Sequence, residues 1–392
     1  MVEQKLISKI PEGWKLIILG EHFKFKNGLN KEKKFFGFGT PIVNYMDVYP
    51  HHFRFANDIK GKVSLTNTEK KNFEVRKGDV LFTRTSETVE EIGLSSVIME
   101  DIPDCVFSGF LLRGRPITDS IDLDFRKYCF RSALVRNQII LSSSQTTRAL
   151  TNGKLLSKVI IPIPIDTIEQ KKIAQILDEI DELIDSFESL IQKKKNIKQG
   201  AMQELLTGKR RLEGFKGEWE TKRLGDVLNY EQPTAYLVQD TNYDDSYPIP
   251  VLTAGKSFIL GYTDEERGIF QNPPVIIFDD FTTDSKFVEF PFKVKSSAMK
   301  ILKPKNDQVN LKFVFDMMQI INFSIGDHKR YWLSEYQFLE VKIPKLNEQE
   351  AISKILSDMD SEIQQLENQR DKYTNLKQGM MQKLLTGEIR LI

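Results

Sequence analysis

The chain has 392 residues, which predicts more than one domain, and its 40% hydrophobic and 28% charged residues are typical of a globular protein in water. No apolar run approaches the roughly 18 residues of a membrane span, and the first residues lack the apolar core of a signal peptide. Only two cysteines occur, Cys105 and Cys129, which excludes a disulfide framework and predicts buried free thiols in a cytoplasmic protein.

Charge is distributed unevenly, although the net charge is only +1. Lys and Arg against Asp and Glu number 25 to 18 in residues 1–165, 9 to 9 in 166–212, 15 to 20 in 213–344 and 7 to 8 in 345–392. Any polyanion that both halves of the chain contact must therefore meet local basic patches.

The first segment, residues 1–165, has the pattern of an α/β domain. Strand-like runs occupy 77–84 and 96–100, and a helix is predicted near 125–140. Lysines alternate with Phe and Gly between 22 and 41, which suits phosphate neutralisation but also describes a solvated loop. Two polar loops carry side chains of the kinds that read base edges. The candidate DNA-contacting residues are Lys24, Lys26, Lys33, Lys34, Arg84, Thr85, Ser86, Gln145, Thr147 and Arg148.

A gapless internal repeat follows, because residues 169–208 match residues 348–387 at a constant offset of 179. Each copy predicts one long helix with apolar residues at alternating steps of three and four, the pattern of a coiled-coil seam. The seam residues are Ile173, Ile176, Ile180, Leu183, Phe187, Leu190 and Ile197, and in the second copy Ile352, Ile355, Met359, Ile363, Leu366, Tyr373 and Leu376. Gly208 and Gly387 are the predicted helix stops.

The connectivity favours antiparallel pairing of the two helices. The third segment begins directly after the first helix, so a parallel pair would require that segment to bridge the whole helix length. The sequence therefore predicts an α+β, pseudo-two-fold chain with two α/β domains, 1–165 and 213–344, at opposite ends of an antiparallel coiled coil formed by 166–212 and 345–392.

The segment 213–344 predicts a strand at 274–281, a helix near 312–323 and a second basic surface. Its loop at 326–333 precedes an Ile-Pro step, as the loop at 145–148 does in the first segment. The candidate DNA-contacting residues here are Lys286, Lys295, Ser297, His328, Lys329, Arg330 and Tyr331. Asn272-Pro273-Pro274-Val275 imitates an amino-methyltransferase loop, but valine stands where an aromatic should stack on a flipped base.

Both helices end in a related sequence, KQGAMQELLTG and KQGMMQKLLTG. A glycine within a helix costs roughly 1 kcal/mol relative to alanine, so these glycines either allow another backbone to come close or are tolerated remnants of a duplication. The predicted docking positions, for a recognition domain or a partner protein, are Gly200, Met202, Leu205, Gly379, Met381 and Leu384.

Taken together, the motifs resemble the specificity subunits of type I restriction–modification systems. The shared features are Trp14 with Leu19-Gly20, Trp219 with Leu224-Gly225, the KGDVL strand at 77–81, the Ile-Pro steps, the Glu-Gln helix starts and the KQG helix ends. The resemblance implies a non-catalytic chain in which each α/β domain is a target-recognition domain for half of a bipartite asymmetric DNA sequence, and the helices set the spacing.

The same resemblance implies partners. They are double-stranded DNA, two adenine-N6 methyltransferase subunits and a motor-nuclease subunit, with S-adenosylmethionine, ATP and magnesium bound by those subunits rather than by this chain. Two alternatives stay open: an amino-methyltransferase acting through residues 272–275, and a coiled-coil scaffold that does not recognise DNA.

Overall fold

The computed structural model describes residues 10–145, 148–254, 257–325 and 330–391. The chain forms two compact units, unit 1 (residues 1–187 and 369–392) and unit 2 (residues 188–368). Both contain helices and sheets, which confirms the predicted α+β class. Within the described residues, no helix is both long and apolar enough to cross a membrane.

Unit 1 is built around a five-stranded sheet with strand order β2-β10-β6-β8-β4. Its strands are β1 (Trp14–Ile18), β2 (Phe23–Asn27), β3 (Phe36–Val43), β4 (Phe53–Arg54), β5 (Lys62–Val63), β6 (Val80–Thr83), β7 (Thr85–Ser86), β8 (Ser95–Ile98), β9 (Val106–Phe107), β10 (Leu111–Pro116), β11 (Ser144–Gln145), β12 (Ala149–Leu150) and β13 (Ile160–Pro164). Its helices are α1 (Leu19–His22), α2 (Tyr45–Val48), α3 (Asn67–Phe73), α4 (Leu123–Cys129), α5 (Ala133–Ser142), α6 (Gly153–Leu156) and the first part of α7 (Thr167–Leu205).

Unit 2 contains a four-stranded sheet with strand order β15-β21-β18-β19. Its strands are β14 (Glu220–Arg223), β15 (Leu228–Glu231), β16 (Ile249–Leu252), β17 (Ile259–Thr263), β18 (Val275–Asp279), β19 (Ser285–Val288), β20 (Lys293–Val294), β21 (Met299–Pro304) and β22 (Glu340–Ile343). Its helices are α8 (Leu224–Val227), α9 (Leu311–Met318), α10 (Tyr331–Ser334) and the first part of α11 (Leu346–Leu384).

The predicted strands correspond to β6, β8 and β18, whose apolar runs are buried because they lie inside their sheets. The single helix predicted near 125–140 is wrong, since two helices, α4 and α5, occupy it. The first helix ends at Cys129, and Ser132 starts the second, because its hydroxyl accepts a hydrogen bond from the Val135 amide (3.4 Å) and so caps α5. The free thiols are buried as predicted.

Within each unit, α7 and α11 run antiparallel, as predicted. In unit 1 the ammonium of Lys377 pairs with Asp181. In unit 2 the ammonium of Lys194 lies 2.6 Å from the Glu362 carboxylate. Later residues of α7 thus meet earlier residues of α11.

An arginine beyond the end of each long helix binds the glutamate at the start of the other. In unit 1, Arg390 donates to both carboxylate oxygens of Glu169 at 2.6 and 2.8 Å. In unit 2, Arg211 donates to both oxygens of Glu348 at 2.6 and 2.7 Å. The two ion pairs occupy equivalent positions of the repeat, so the same joint is built once in each unit.

The glutamine of each Glu-Gln pair fixes the α/β domain of its unit to the long helix. Gln170 and Gln349 are 0% and 1% exposed. Gln170 accepts a hydrogen bond from the Asp122 amide at 2.7 Å, and Gln349 accepts one from the Asn310 amide at 2.8 Å. Asp122 and Asn310 are the N-caps of α4 and α9, so each glutamine sets where a domain helix begins.

The predicted helix stops are also found. Gly208 and Gly387 have φ of +70° and +74°, the left-handed conformation that ends many helices and that suits glycine. A Cβ added at Gly208 would lie 3.5 Å from the Trp219 ring, and one added at Gly387 would lie 3.0 Å from the Trp14 ring. The tryptophan that opens each domain therefore packs on a helix stop within its own unit.

Candidate nucleic-acid interface

The two polar loops that sequence analysis singled out in unit 1 lie side by side. Strand β12 pairs with β7, so that Ala149 lies opposite Ser86 and Leu150 opposite Thr85. The Arg148 guanidinium then reaches the Glu87 carboxylate, at 3.6 Å. This edge of unit 1 therefore presents hydroxyls and a guanidinium together, which are the groups that bind base edges.

A cleft of about 410 Å³ opens at this edge. Phe110 stands on its rim and is 57% exposed, although it is a large apolar side chain. The cleft is lined by Tyr45, Thr85, Ser86, Glu87, Thr88, Glu91, Phe110 and Arg148. Concave sites with a few convergent polar groups are typical binding sites.

Tyr45, Glu91 and Phe110 were missed by sequence analysis. They come from α2, from the turn after β7 and from the turn before β10, and no motif in the sequence links the three positions. Only the strand pairing of unit 1 brings them to the residues at 85–86 and 148.

Arg84 is partly buried beside the cleft. Its guanidinium donates to the Gly109 carbonyl at 3.3 Å, and its backbone amide donates to the Phe110 carbonyl at 2.9 Å. Arg84 thus supports the turn that carries Phe110.

The predicted lysines of the first basic loop are exposed at Lys24, Lys26, Lys33 and Lys34. Lys26 donates to the Asn72 carbonyl at 2.5 Å, and Lys34 lies 2.6 Å from the Glu32 carboxylate. These surface contacts are weak, so both ammonium groups can exchange them for phosphate oxygens.

The basic run of unit 2 divides between surface and interior. Lys286, Lys295 and Ser297 are exposed. Lys293 and Lys300, from the same run, are 2% and 0% exposed and lie 2.7 Å from Glu265 and 3.2 Å from Asp280. The interior lysines hold the unit together and leave the three exposed residues as candidates.

The structure differs from the prediction at Tyr331, which belongs to the core of unit 2. Tyr331 is 1% exposed, its ring meets Phe323 edge-on at 5.5 Å, and its amide donates to the Asp280 carbonyl at 2.9 Å. Arg330, one residue earlier, is exposed. Thr147, His328 and Lys329 lie outside the described residues; Gln145 belongs to β11, and its side chain is not described.

The predicted docking positions on the long helices fall into two groups, exposed glycines and apolar residues that pack inside their units. Gly200 and Gly379 are exposed, and a Cβ built on either meets no atom of the described residues within 4 Å. Neither glycine therefore serves a close approach to a recognition domain. Leu205 and Leu384 are 6% and 3% exposed and pack in the cores of units 2 and 1, with the partly buried Met202 and Met381 beside them. These four apolar residues therefore contact the α/β domain of their own unit, which is one of the two docking partners expected of them. Docking of a partner protein at the same positions stays a prediction.

The structure does not support a methyltransferase site at residues 272–275. Val275 is the first residue of β18 and is 0% exposed, so it cannot stack on a base.

Comparison with known proteins gives a consistent result along the chain. The family model described as the type I restriction modification DNA specificity domain matches residues 11–199 and 216–373. The specificity subunit of the type I restriction enzyme EcoR124I/EcoR124II of Escherichia coli is 42% identical over 201 residues, 45% of this chain and 49% of that protein, so the match spans about half of that relative.

Two further relatives match over nearly their whole length. The putative type I restriction enzyme MjaX specificity subunit of Methanocaldococcus jannaschii is 25% identical over 424 residues, 98% of this chain and 96% of that one. The crystal structure of the type I restriction-modification S subunit from M. genitalium is similar with a TM-score of 0.58 at 15% identity, over 95% of this chain and 96% of that chain. At that identity the likeness concerns the fold.

Proposed function

The chain belongs to the type I restriction modification DNA specificity family, and from this premise we propose that each unit reads one half of a bipartite asymmetric DNA target. The family domain matches twice, once in each half of the chain, which supports one recognition domain per unit. The two units share their joints but differ in their sheets, as two different half-sites require.

The observation that carries the proposal is the cleft of unit 1. Sequence analysis selected residues 84–86 and 145–148 separately as readers of base edges, and Thr85, Ser86 and Arg148 line one cleft. Exposed lysines of the first basic loop supply the sequence-independent attraction to phosphates. In unit 2 the corresponding candidates are Arg330 for bases and Lys286 and Lys295 for phosphates.

The long helices would set the distance between the half-sites and dock the methyltransferase subunits. Ile197 and Leu376 are each 48% exposed. Each lies three residues before Gly200 or Gly379, hence on the same helix face. An exposed aliphatic side chain beside an uncovered glycine is a surface on which another helix can pack closely.

The chain would act without chemistry of its own in the cytoplasm. We assign S-adenosylmethionine to the methyltransferase subunits, and ATP and magnesium to the motor-nuclease subunits that join for restriction. Residues 272–275 are the alternative catalytic site, and S-adenosylmethionine binding by the isolated chain would favour that alternative.

Paired substitutions test the recognition role. The full chain is assembled with its methyltransferase, and bound sequences are selected from a randomised DNA pool. Lys33→Ala should weaken binding to all sequences alike, because a phosphate contact carries no base information. Arg148→Ala and Arg330→Ala should each change the base preference of one half-site.

Two outcomes would contradict the proposal. An unchanged sequence profile in both arginine variants would remove the assigned readers. If replacing all the basic loops left DNA retention by the assembled complex intact, the chain would be a scaffold without DNA recognition.

A further inference from the structure

A carboxylate is held by hydroxyl groups inside the cleft of unit 1. Oε2 of Glu91 accepts a hydrogen bond from the Ser86 hydroxyl at 2.8 Å and one from the Tyr45 hydroxyl at 3.3 Å. Tyr49 stacks on Tyr45 with ring centroids 5.8 Å apart and so supports the ring whose hydroxyl binds Glu91. The position of this carboxylate is therefore fixed before any ligand arrives.

Glu91 carries its charge at neutral pH. The hydrogen bond from Ser86, followed by those from the tyrosines, lowers the pKa of the Glu91 carboxyl despite partial burial. An ionised carboxylate only accepts hydrogen bonds.

The Glu91 carboxylate is not the ion-pair partner of Arg148, the arginine that lines the cleft. Arg148 pairs with Glu87, at 3.6 Å, on the exposed rim. A carboxylate repels DNA phosphates, so its fixed place in a DNA-facing cleft calls for a partner that donates hydrogen bonds.

We propose that Glu91 reads an exocyclic amino group in the major groove, the N4 amino group of cytosine or the N6 amino group of adenine. Cytosine and adenine present such donors there, whereas guanine and thymine present the acceptors O6 and O4. The carboxylate would accept from an amino base and repel a keto base, which makes Glu91 a specificity-determining residue of unit 1. This inference rests on the DNA-recognition role proposed above.

The hydrogen bonds from Ser86 and Tyr45 both fall on Oε2 of Glu91. A carboxylate has about four acceptor sites, so these bonds orient it and still leave it able to accept a hydrogen bond from a base. Ser86 and Tyr45 act as positioning residues, since they orient the carboxylate without needing to touch DNA. Phe110, exposed on the rim, supplies an apolar wall against base edges.

Glu91→Gln is tested against Glu87→Gln in the full chain assembled with its methyltransferase. Both changes remove one negative charge from the same cleft, so a general electrostatic effect appears in both and at all sequences. The amide that replaces the carboxylate can also donate to keto oxygens, so Glu91→Gln should lower the preference for an amino base at one position roughly ten-fold. Glu87→Gln releases Arg148 and so affects the base that Arg148 reads, but it should leave the amino-base preference at the Glu91 position unchanged.

Base analogues identify which amino group is read. At the affected position, cytosine is replaced by 2-pyrimidinone or adenine by purine, which lack the amino group. The original chain should bind one of these analogues roughly ten-fold more weakly than the natural base. The Glu91→Gln chain should distinguish them less, because its neutral amide oxygen still accepts from the amino group but its NH2 group can also donate to other bases.

Thermal melting establishes that each variant folds, and Tyr45→Phe, which keeps the carboxylate but removes one orienting donor, should weaken the same preference. A Glu91→Gln profile identical to that of the original chain, or to that of Glu87→Gln, overturns the inference. If Arg148→Ala changes base preference while Glu91→Gln does not, only this inference fails. If neither does, the recognition role of the cleft fails with it.

Discussion

His52 in unit 1 is kept neutral by its surroundings. Burial, followed by the positive charges of Arg131 and Lys377, lowers the pKa of His52 to about 2. Its ring lies against Tyr128 with centroids 5.5 Å apart. The Tyr128 hydroxyl in turn donates to Asp178 at 2.7 Å, so this group of residues joins the recognition domain to α7.

A loss of stability in mild acid follows from the pKa of His52. The unfolded chain takes up a proton near the ordinary value of 6.5, but the folded unit does not until about 2. Stability from the neutral ring is therefore fully present above pH 6.5 and is lost as the pH falls below it, by at most about 1.4 kcal/mol per pH unit. His52→Phe keeps an aromatic ring and should remove this dependence.

Urea unfolding of both chains between pH 7.5 and 5 measures the effect. The free energy of unfolding of the original chain should fall faster with decreasing pH than that of His52→Phe. Parallel pH profiles would mean that His52 does not titrate differently in the two states.

At the scale of elements, the joints between helix starts and helix ends depend on two ion pairs. The Glu348 side chain is only 4% exposed, and both of its oxygens are bound by Arg211. Glu348→Gln leaves the guanidinium without its charge partner and should cost about 1–3 kcal/mol of unfolding free energy. Glu169→Gln should cost a similar amount in unit 1, because Arg390 makes the same contacts there.

Denaturant unfolding of these two variants is compared with Glu350→Gln, an exposed neighbour on the same helix. The control should change the unfolding free energy by less than about 0.5 kcal/mol. Equal effects of Glu350→Gln and Glu348→Gln would show that the joint does not need the ion pair.

Substitution of the exposed helix glycines distinguishes an effect on folding from an effect on assembly with the methyltransferase. In the part of the chain that the structure describes, no atom within 4 Å opposes a Cβ at Gly200 or Gly379. Gly200→Leu and Gly379→Leu should therefore leave unfolding free energy unchanged or raise it by up to about 1 kcal/mol, since leucine favours helix. Both should weaken methyltransferase binding if that subunit packs over the glycine.

Co-purification and a binding titration with the methyltransferase measure assembly. Gly200→Ala and Gly379→Ala are the matched controls, since alanine also raises the helix propensity above that of glycine but adds only one carbon atom to the surface. Full assembly of the leucine variants would favour the alternative, that these glycines are tolerated remnants of a duplication and have no docking role.

The coiled-coil seam shows where sequence reasoning was right and where it was not. The existence, length and pairing of the helices followed from the repeat, but Leu190 and Ile197 are 39% and 48% exposed. At 3.6 residues per turn, residue 197 lies roughly 120° away from residue 173, whereas residues 191 and 198 lie in line with it. The seam accordingly takes in Ile191 and Lys198.

The predicted seam omits Lys198, because the pattern that defines the seam contains only apolar residues. Lys198 lies on the seam and its ammonium lies 2.5 Å from Asp360, as Lys377 pairs with Asp181 in unit 1. A pattern of apolar residues cannot indicate a partly buried ion pair whose two members are 162 residues apart.

At the scale of the whole molecule, the duplicated plan was readable because gapless repeats and Glu-Gln helix starts are local patterns. The cleft was not readable as a cleft, since Tyr45 and Phe110 reach it only through strand pairing. Sequence supplied Ser86 and Arg148 by residue type, and the fold supplied their neighbours.

The proposed spacing role predicts a change of DNA target from a change of helix length. Seven residues inserted between 189 and 190, and seven between 368 and 369, lengthen both helices by roughly 10.5 Å and shift their phase by only about 20°. Because the two sites face each other in the antiparallel register, the seams stay matched. The gap between half-sites should grow by about three base pairs, at about 3.4 Å each. The half-sites themselves should not change, and genome-wide mapping of methylated adenines measures both the gap and the half-site sequences.

An insertion in α7 alone is the control and should abolish methylation, because it breaks the register with α11. An unchanged gap in the doubly lengthened chain would rule out the helices as the ruler.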